Sequence, residues 1–259
     1  MTVTTINHTS RAHAVLSASA ADRWMHCPPS ARLAEQYPQT SSSYAEEGTR
    51  AHEIAEQCLR AFKDGQPEPI YEGDDLRIRE ELRPYIDWII EVCNEYKTKS
   101  ADTIMLLETR VDFSSVVPDG FGTGDVIIIS DATLHIIDLK FGKGVSVDAN
   151  LNPQLMLYAL GALNLFEDLY DINLVRMTIN QPRLDHISTS FASAAEIRHW
   201  ADHKVAPVAK QAYEGKGEFA CGDWCRWCPV KNCKHRATVN QKLIEEVQSE
   251  ICRICIGGR

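Results

Sequence analysis

The chain has 259 residues, 44% of them apolar and 24% charged, which fits a globular protein with one large or two small domains. A formal net charge of −9 excludes a wholesale basic nucleic-acid binder but leaves room for a local contact patch. No apolar run approaches the ~20 residues of a membrane span, and residues 1–15 are polar and Thr-rich without the apolar stretch of a signal peptide, so a cytoplasmic location with no membrane partner is expected.

Residues 1–15 read as a flexible tail. A short helical pattern over 17–24 leads to Cys27-Pro28-Pro29, where the proline pair halts it. Pro38 and three serines mark a loop over 36–43. Ser43 and Glu46 form a capping-box pattern that opens a helix over about 44–62, with His52 inside it. After a Gly/Pro/Asp-rich loop at 64–74, Leu82, Ile86, Ile89, Ile90 and Cys93 lie at helical spacing within a second helix over about 75–99. A strand is expected at 103–111. The apolar runs 126–129 and 134–137, broken by Ser130-Asp131-Ala132-Thr133, read as a β-hairpin. Asn152-Pro153 pairs a capping residue with proline at the first helical position, which predicts a helix over 153–166. Two further strands are expected at 173–180 and 186–191. A capping box at Ser193 and Glu196 starts a helix reaching about 213, and a last helix spans about 237–252. The order implies an α/β chain, with an N-terminal helical part at 16–100, a mixed core at 101–214, a Cys-rich segment at 215–236 and a helix or tail at 237–259.

Chemistry concentrates on the hairpin. Asp125 follows Gly122-Thr123-Gly124, and Asp138-Leu139-Lys140 ends the returning strand. Residues two apart on a strand share a face, so Asp138 and Lys140 lie together and Asp125 can meet them. Two acids and an ammonium at one point suit a divalent metal that activates water against a phosphodiester. Gln154 and Tyr158 share one face of the following helix at i, i+4 spacing. His52 can add an imidazole to such a site; Glu53 and Glu56 read as solvated helix charges, with an approach of Glu53 to the site as the alternative.

Gly48-x-x-x-His52, Gly124-Asp125, Asp138-x-Lys140 and Gln154-x-x-x-Tyr158, in that order, resemble the PD-(D/E)XK nuclease superfamily, and its RecB-like branch most closely. The resemblance spans about residues 17–236. It implies a restriction-endonuclease-like core and a Mg²⁺- or Mn²⁺-dependent deoxyribonuclease. In that pattern His52, Asp125, Asp138 and the carbonyl of Leu139 bind the metal. Lys140 positions the attacking water, and Gln154 and Tyr158 support the site and contact DNA.

Nine cysteines, four of them within residues 221–233, make a poor disulfide framework and a good metal or cluster framework. Cys225-x2-Cys228-x4-Cys233, with Cys27 far upstream, is similar to the four-cysteine iron–sulfur nucleases, the AddB nuclease domain and the CRISPR-adaptation exonucleases. Their last spacing is one residue longer. That likeness implies a structural [4Fe-4S] cluster on Cys27, Cys225, Cys228 and Cys233. The alternative is a local zinc site on Cys221, Cys225, Cys228 and Cys233. Cys58 and Cys93 fall on apolar helical faces and read as core, while Cys252 and Cys255 are given no role. Arg226, Trp227 and Lys231 can hold single-stranded DNA by charge and stacking, or the tryptophans can instead shield the cluster. Arg183 is a candidate phosphate contact.

The expected function is an exonuclease acting on DNA ends or single strands in recombination, repair or phage DNA processing. By the resemblance it is a stand-alone phage or mobile-element type, with other recombination proteins as further partners. The competing expectation is a DNA-binding or assembly module that keeps the fold and cleaves little.

Overall fold

The structure, a computed structural model, describes residues 14–37 and 42–257, with side chains to residue 248. Most of the tail expected at 1–15, part of the loop at 36–43, and the side chains of Cys252 and Cys255 lie outside the described residues. Short helices α1 (Ala21–His26) and α2 (Ser30–Ala34) flank the proline pair, and Trp24 is fully buried with its Nε1–H donated to the Ser17 carbonyl. Helix α3 (Ser43–Lys63) starts one residue earlier than expected. Its cap is Ser42, in extended backbone, whose Oγ accepts from the Ala45 N–H. In a run of three serines each can cap, and the one left with extended φ/ψ takes the position. Helix α4 spans Gly73–Lys99.

The strands β1 (Ile104–Asp112), β2 (Phe121–Ser130), β3 (Thr133–Leu139), β4 (Leu174–Gln181) and β5 (His186–Ser193) form one sheet in chain order. All neighbours are antiparallel except β3 and β4. Parallel strands need a crossover, and α5 (Pro153–Phe166) provides it. The Asn152 side chain caps α5 by accepting from the N–H groups of Gln154 and Leu155. The chain is thus α/β, a mixed central sheet flanked by helices.

Both faces of the sheet are covered, which explains why β2 and β3 read as unbroken apolar runs rather than alternating ones. Val126, Ile128, Ile137 and Leu139 pack with α3 and α4 through Ile54, Cys58, Leu82, Ile86 and Ile89. Ile127, Ile129, Leu134 and Ile136 pack on the other face with α5, joined by Trp24 and the helices that follow β5. Cys58 and Cys93 are buried in the first of these cores, as read from their spacing.

After β5 the expected single helix divides. Ser193 and Glu196 form a capping box for α6 (Ala194–Trp200), a π-helical turn follows at Ala201–Val205, and α7 (Ala206–Glu214) ends at Gly215 with φ 68°. Pro207 is the reason: it lacks the N–H for a regular helical bond, and a wider turn takes up the mismatch. Helix α8 runs from Lys234 to Gly257, three residues earlier than expected at its start.

Helix α5 approaches the sheet closely at Gly161, where an added Cβ would lie 2.8 Å from Val111 Cβ and 3.2 Å from the Asp112 backbone. Alanine is the better helix former by about 1 kcal/mol, but overpacking costs about 1–3 kcal/mol. Gly161→Ala is therefore expected to lower the urea midpoint; a stabilised variant would show that α5 has room to move away.

Candidate functional site

The site is set by the β2–β3 register. A two-residue turn, with Asp131 in the left-handed region at φ 49°, pairs Ser130 with Thr133 and carries the register to Val126 opposite Ile137. One residue further, Asp125 stands level with Asp138. The Leu139 N–H donates to Asp125 Oδ2 at 2.7 Å, and Lys140 Nζ lies 2.8 Å from Asp138 Oδ2. From the first turn of α5, Gln154 bridges them. Its Oε1 accepts from Lys140 Nζ at 2.9 Å, and its Nε2 donates to Asp138 Oδ1 at 2.9 Å and to the Tyr158 hydroxyl at 3.1 Å. The Tyr158 ring packs against Gly122, where a Cβ would come within 2.5 Å of it. Gly122, three residues before Asp125, therefore makes space for the α5 tyrosine.

Helix α3 brings His52, whose Nδ1 is 3.3 Å from Asp125 Oδ1. Glu108 completes the cluster: ligand atoms of His52, Glu108 and Asp125 all lie within 4.8 Å of one another. Sequence reading missed Glu108. Registered β1–β2 pairs run from Leu107↔Val126 to Thr109↔Gly124, so Glu108 falls opposite Asp125, at φ 45°. A non-glycine residue held at positive φ within a strand stores strain of about 1–3 kcal/mol, a feature concentrated at functional sites. The sequence signal was a lone acid after the apolar run 104–107, meaningful only once the register is known.

One expectation is corrected, and one alternative is set aside. Arg183 is not free to meet a phosphate. Its side chain is 7% exposed, forms ion pairs with Glu47 of α3 and Glu81 of α4, and lies over the Phe141 ring. Arg77 joins the same two acids, and the network ties both helices to the β4–β5 corner. Glu53 pairs with Arg50 at 2.8 Å and is absent from the histidine–carboxylate cluster.

The electrostatics follow from burial. Desolvation, reinforced by Asp125, raises the Asp138 carboxyl above the usual range although Lys140 opposes it. Desolvation pushes Asp125 the same way, but His52 and the Leu139 N–H outweigh it and hold it low. Burial would lower His52, yet Asp125, then Asp138 and Glu108, raise it to about 9. Asp138 Oδ2 is buried, with the Lys140 ammonium 2.8 Å away. Carboxylates of Glu108, Asp125 and Asp138 beside the His52 imidazole are a donor set that suits a hard divalent cation.

Outside this site, Cys27, Cys221, Cys225, Cys228 and Cys233 line one cavity with Arg23, Trp224 and Arg236. Cys27, on the N-terminal segment, thus meets thiols about 200 residues later in the chain. Cys221 and Cys225 Sγ are 3.9 Å apart. The two tryptophans divide their roles. Trp224 lines the cavity and stacks on His26 at 4.1 Å, while Trp227 is 80% exposed with the Arg226 guanidinium 5.5 Å from its ring centre. Lys231 is exposed.

A family model described as "Protein of unknown function (DUF2800)" matches residues 13–252. The chain belongs to the DUF2800 family. A solved structure titled "Crystal structure of SSO0001" aligns with 83% of this chain and 96% of its own length, at 11% identity and a TM-score of 0.30. That likeness is too remote to carry fold or chemistry across. Among the described residues no helix is long and apolar enough to cross a membrane.

Hydrogen bonds from Arg183, then from Arg77, hold the Glu47 carboxyl down at about 2 against an ordinary 4.5. The unfolded chain therefore binds this proton first as pH falls. Ionised Glu47 contributes stability in full above pH 4.5, and the contribution fades as pH drops through about 2. Glu47→Gln is expected to be less stable near neutrality, with a shallower loss of urea stability across that window. An unchanged slope would remove Glu47 from the stabilising network.

Proposed function

We propose that this protein is a metal-dependent deoxyribonuclease of the PD-(D/E)XK, RecB-like kind, with a restriction-endonuclease-like core. It would act on DNA ends or single strands during recombination, repair or phage DNA processing. The observation that carries the reading is the convergence of His52, Asp125, Asp138, Lys140, Gln154 and Tyr158, from α3, β2, β3 and its end, and α5, on one partly buried point. Their order along the chain carries the resemblance; their meeting in space is an independent observation in its favour.

In this reading His52, Asp125, Asp138 and the Leu139 carbonyl, with Glu108 added, hold Mg²⁺ or Mn²⁺. Such an ion supplies Lewis acidity toward a phosphoryl oxygen and a water acidic enough to ionise near neutral pH. The protein's own groups do the rest. The Lys140 ammonium, kept charged by Asp138 and Asp125 against the cost of burial, orients the attacking water and offsets charge gathering on the phosphate. Gln154 fixes Lys140 and Asp138 relative to each other through its two ends. Tyr158, whose hydroxyl burial keeps protonated, buttresses Gln154.

The cysteine cavity is read as a structural [4Fe-4S] site on Cys27, Cys225, Cys228 and Cys233, clipping the N-terminal helices to the C-terminal segment. The position of Cys27 supports it. One observation favours the zinc reading instead: tetrahedral zinc with bonds of about 2.3 Å sets sulfurs about 3.8 Å apart, close to the Cys221–Cys225 separation of 3.9 Å. Exposed Arg226, Trp227 and Lys231 are the proposed single-strand contacts.

End-labelled single- and double-stranded DNA incubated with Mn²⁺ is expected to be degraded, and Asp138→Asn and Lys140→Met are each expected to lose about 100-fold or more in rate. Glu108→Gln is expected to raise the Mn²⁺ concentration needed for half-maximal rate. Undiminished cleavage by Asp138→Asn would sink the site, and retained DNA binding with no cleavage by the unaltered chain would favour the binding-module reading. For the cavity, an anaerobic preparation is expected to be brown, absorb near ~400 nm, and lose that colour in Cys27→Ser but not in Cys221→Ser. A colourless protein with one zinc, retained in Cys27→Ser, would establish the alternative.

A further inference from the structure

Two polar side chains at the end of β4, Gln181 and Arg183, take no part in the site, yet both hold the segment that leaves it. Lys140 continues the ladder one residue past β3, with its N–H donated to the Asn180 carbonyl at 3.0 Å. Next, the buried Phe141 ring lies under the Arg183 guanidinium, which also donates to the Phe141 carbonyl at 3.3 Å. Buried Gln181 takes hold of the chain again further on. Its Nε2 donates to the Val145 carbonyl at 3.0 Å, and its Oε1 accepts from the Val147 N–H at 2.7 Å. Satisfied buried polar contacts of this kind fix a backbone in one position.

What they fix is exposed: residues 142–146 all face solvent, with Gly142-Lys143-Gly144 in front. Neither glycine has a positive φ, and a Cβ added at either would meet nothing within 4 Å. The packing of this chain therefore makes no demand for glycine at these positions, whereas glycine does let another backbone come close. Lys143, between them, makes no hydrogen bond or ion pair among the described residues. Its charge reaches Glu81, but that carboxylate is already paired with Arg183 and Arg77. Three residues past Lys140 span at most about 10 Å, comparable to the rise of about three nucleotides of one strand. We propose that Lys143 is a substrate-positioning residue, which binds a DNA backbone phosphate next to the one presented to Asp125 and Asp138. The inference rests on the nuclease reading and adds a substrate contact to it. The phosphate contact expected of Arg183 falls instead to Lys143, whose loop Arg183 holds.

Binding of a fluorescent single-stranded oligonucleotide tests it, with Mn²⁺ present and Asp138→Asn as the parent chain so that cleavage does not interfere. Adding Lys143→Ala is expected to weaken binding about 5-fold on every sequence and to lower the slope of log affinity against log salt by about 0.7, the loss of one phosphate contact. Lys143→Arg is expected to keep both. In the cleaving chain the Lys143→Ala loss should fall on KM rather than kcat. Because the side chain is exposed, the thermal midpoint should not move. Unchanged affinity and salt slope in Lys143→Ala, on a parent that binds, overturns the contact and leaves the nuclease reading standing. An equal loss in Lys143→Arg overturns it too, since a phosphate contact follows the charge. An unaltered chain that neither binds nor cleaves DNA removes the nuclease reading and the contact with it.

Discussion

Two carboxylates held level across a hairpin and taken out of water are the constraint that the rest of the site answers. Burying an ionised carboxylate costs several kcal/mol unless partners replace its hydration. Asp125 receives the Leu139 N–H and His52; Asp138 receives Gln154 and the Lys140 ammonium. These partners come from the adjoining strand, from α3 and from α5, so the sheet and helices on both its faces are fixed by one electrostatic demand. Burial, reinforced by the Asp125 charge, still raises the Asp138 carboxyl above the usual range.

The surrounding architecture serves position. The turn at Asp131 sets which residues of β2 and β3 are level. Asn152 and Pro153 start α5 where its first turn reaches Asp138, and Gly161 lets the helix lie close enough on β1 to stay there. Arg183, sunk between Glu47 and Glu81, locks the start of α3 to α4 and so bears on where His52 stands. The cysteine cavity brings together segments about 200 residues apart.

Residues with strong local signals were readable in advance. The span of α5 followed from Asn152-Pro153 and its apolar run, and the hairpin from two β-branched stretches around a turn. Motif order pointed to His52, Asp125, Asp138, Lys140, Gln154 and Tyr158 as a set, and the chain does bring them together. What escaped had no local signal. Glu108 looks like any acid on a strand until the β1–β2 register puts it opposite Asp125. Arg183 looks like a surface cation at a strand end until α3 and α4 close over it. Cys221, weighed only for zinc, shares its cavity with Cys27.

By itself, then, the sequence determined the α/β class, the order of its elements and the residue types available for chemistry, because periodicity, caps and turns act over a few neighbouring residues. Only the tertiary structure decided which charges face each other, which cation is consumed by an internal network, and which thiols share a space. Those outcomes depend on register, on crossover packing and on contacts between residues distant in the chain, and none of these is a property of a short stretch of sequence.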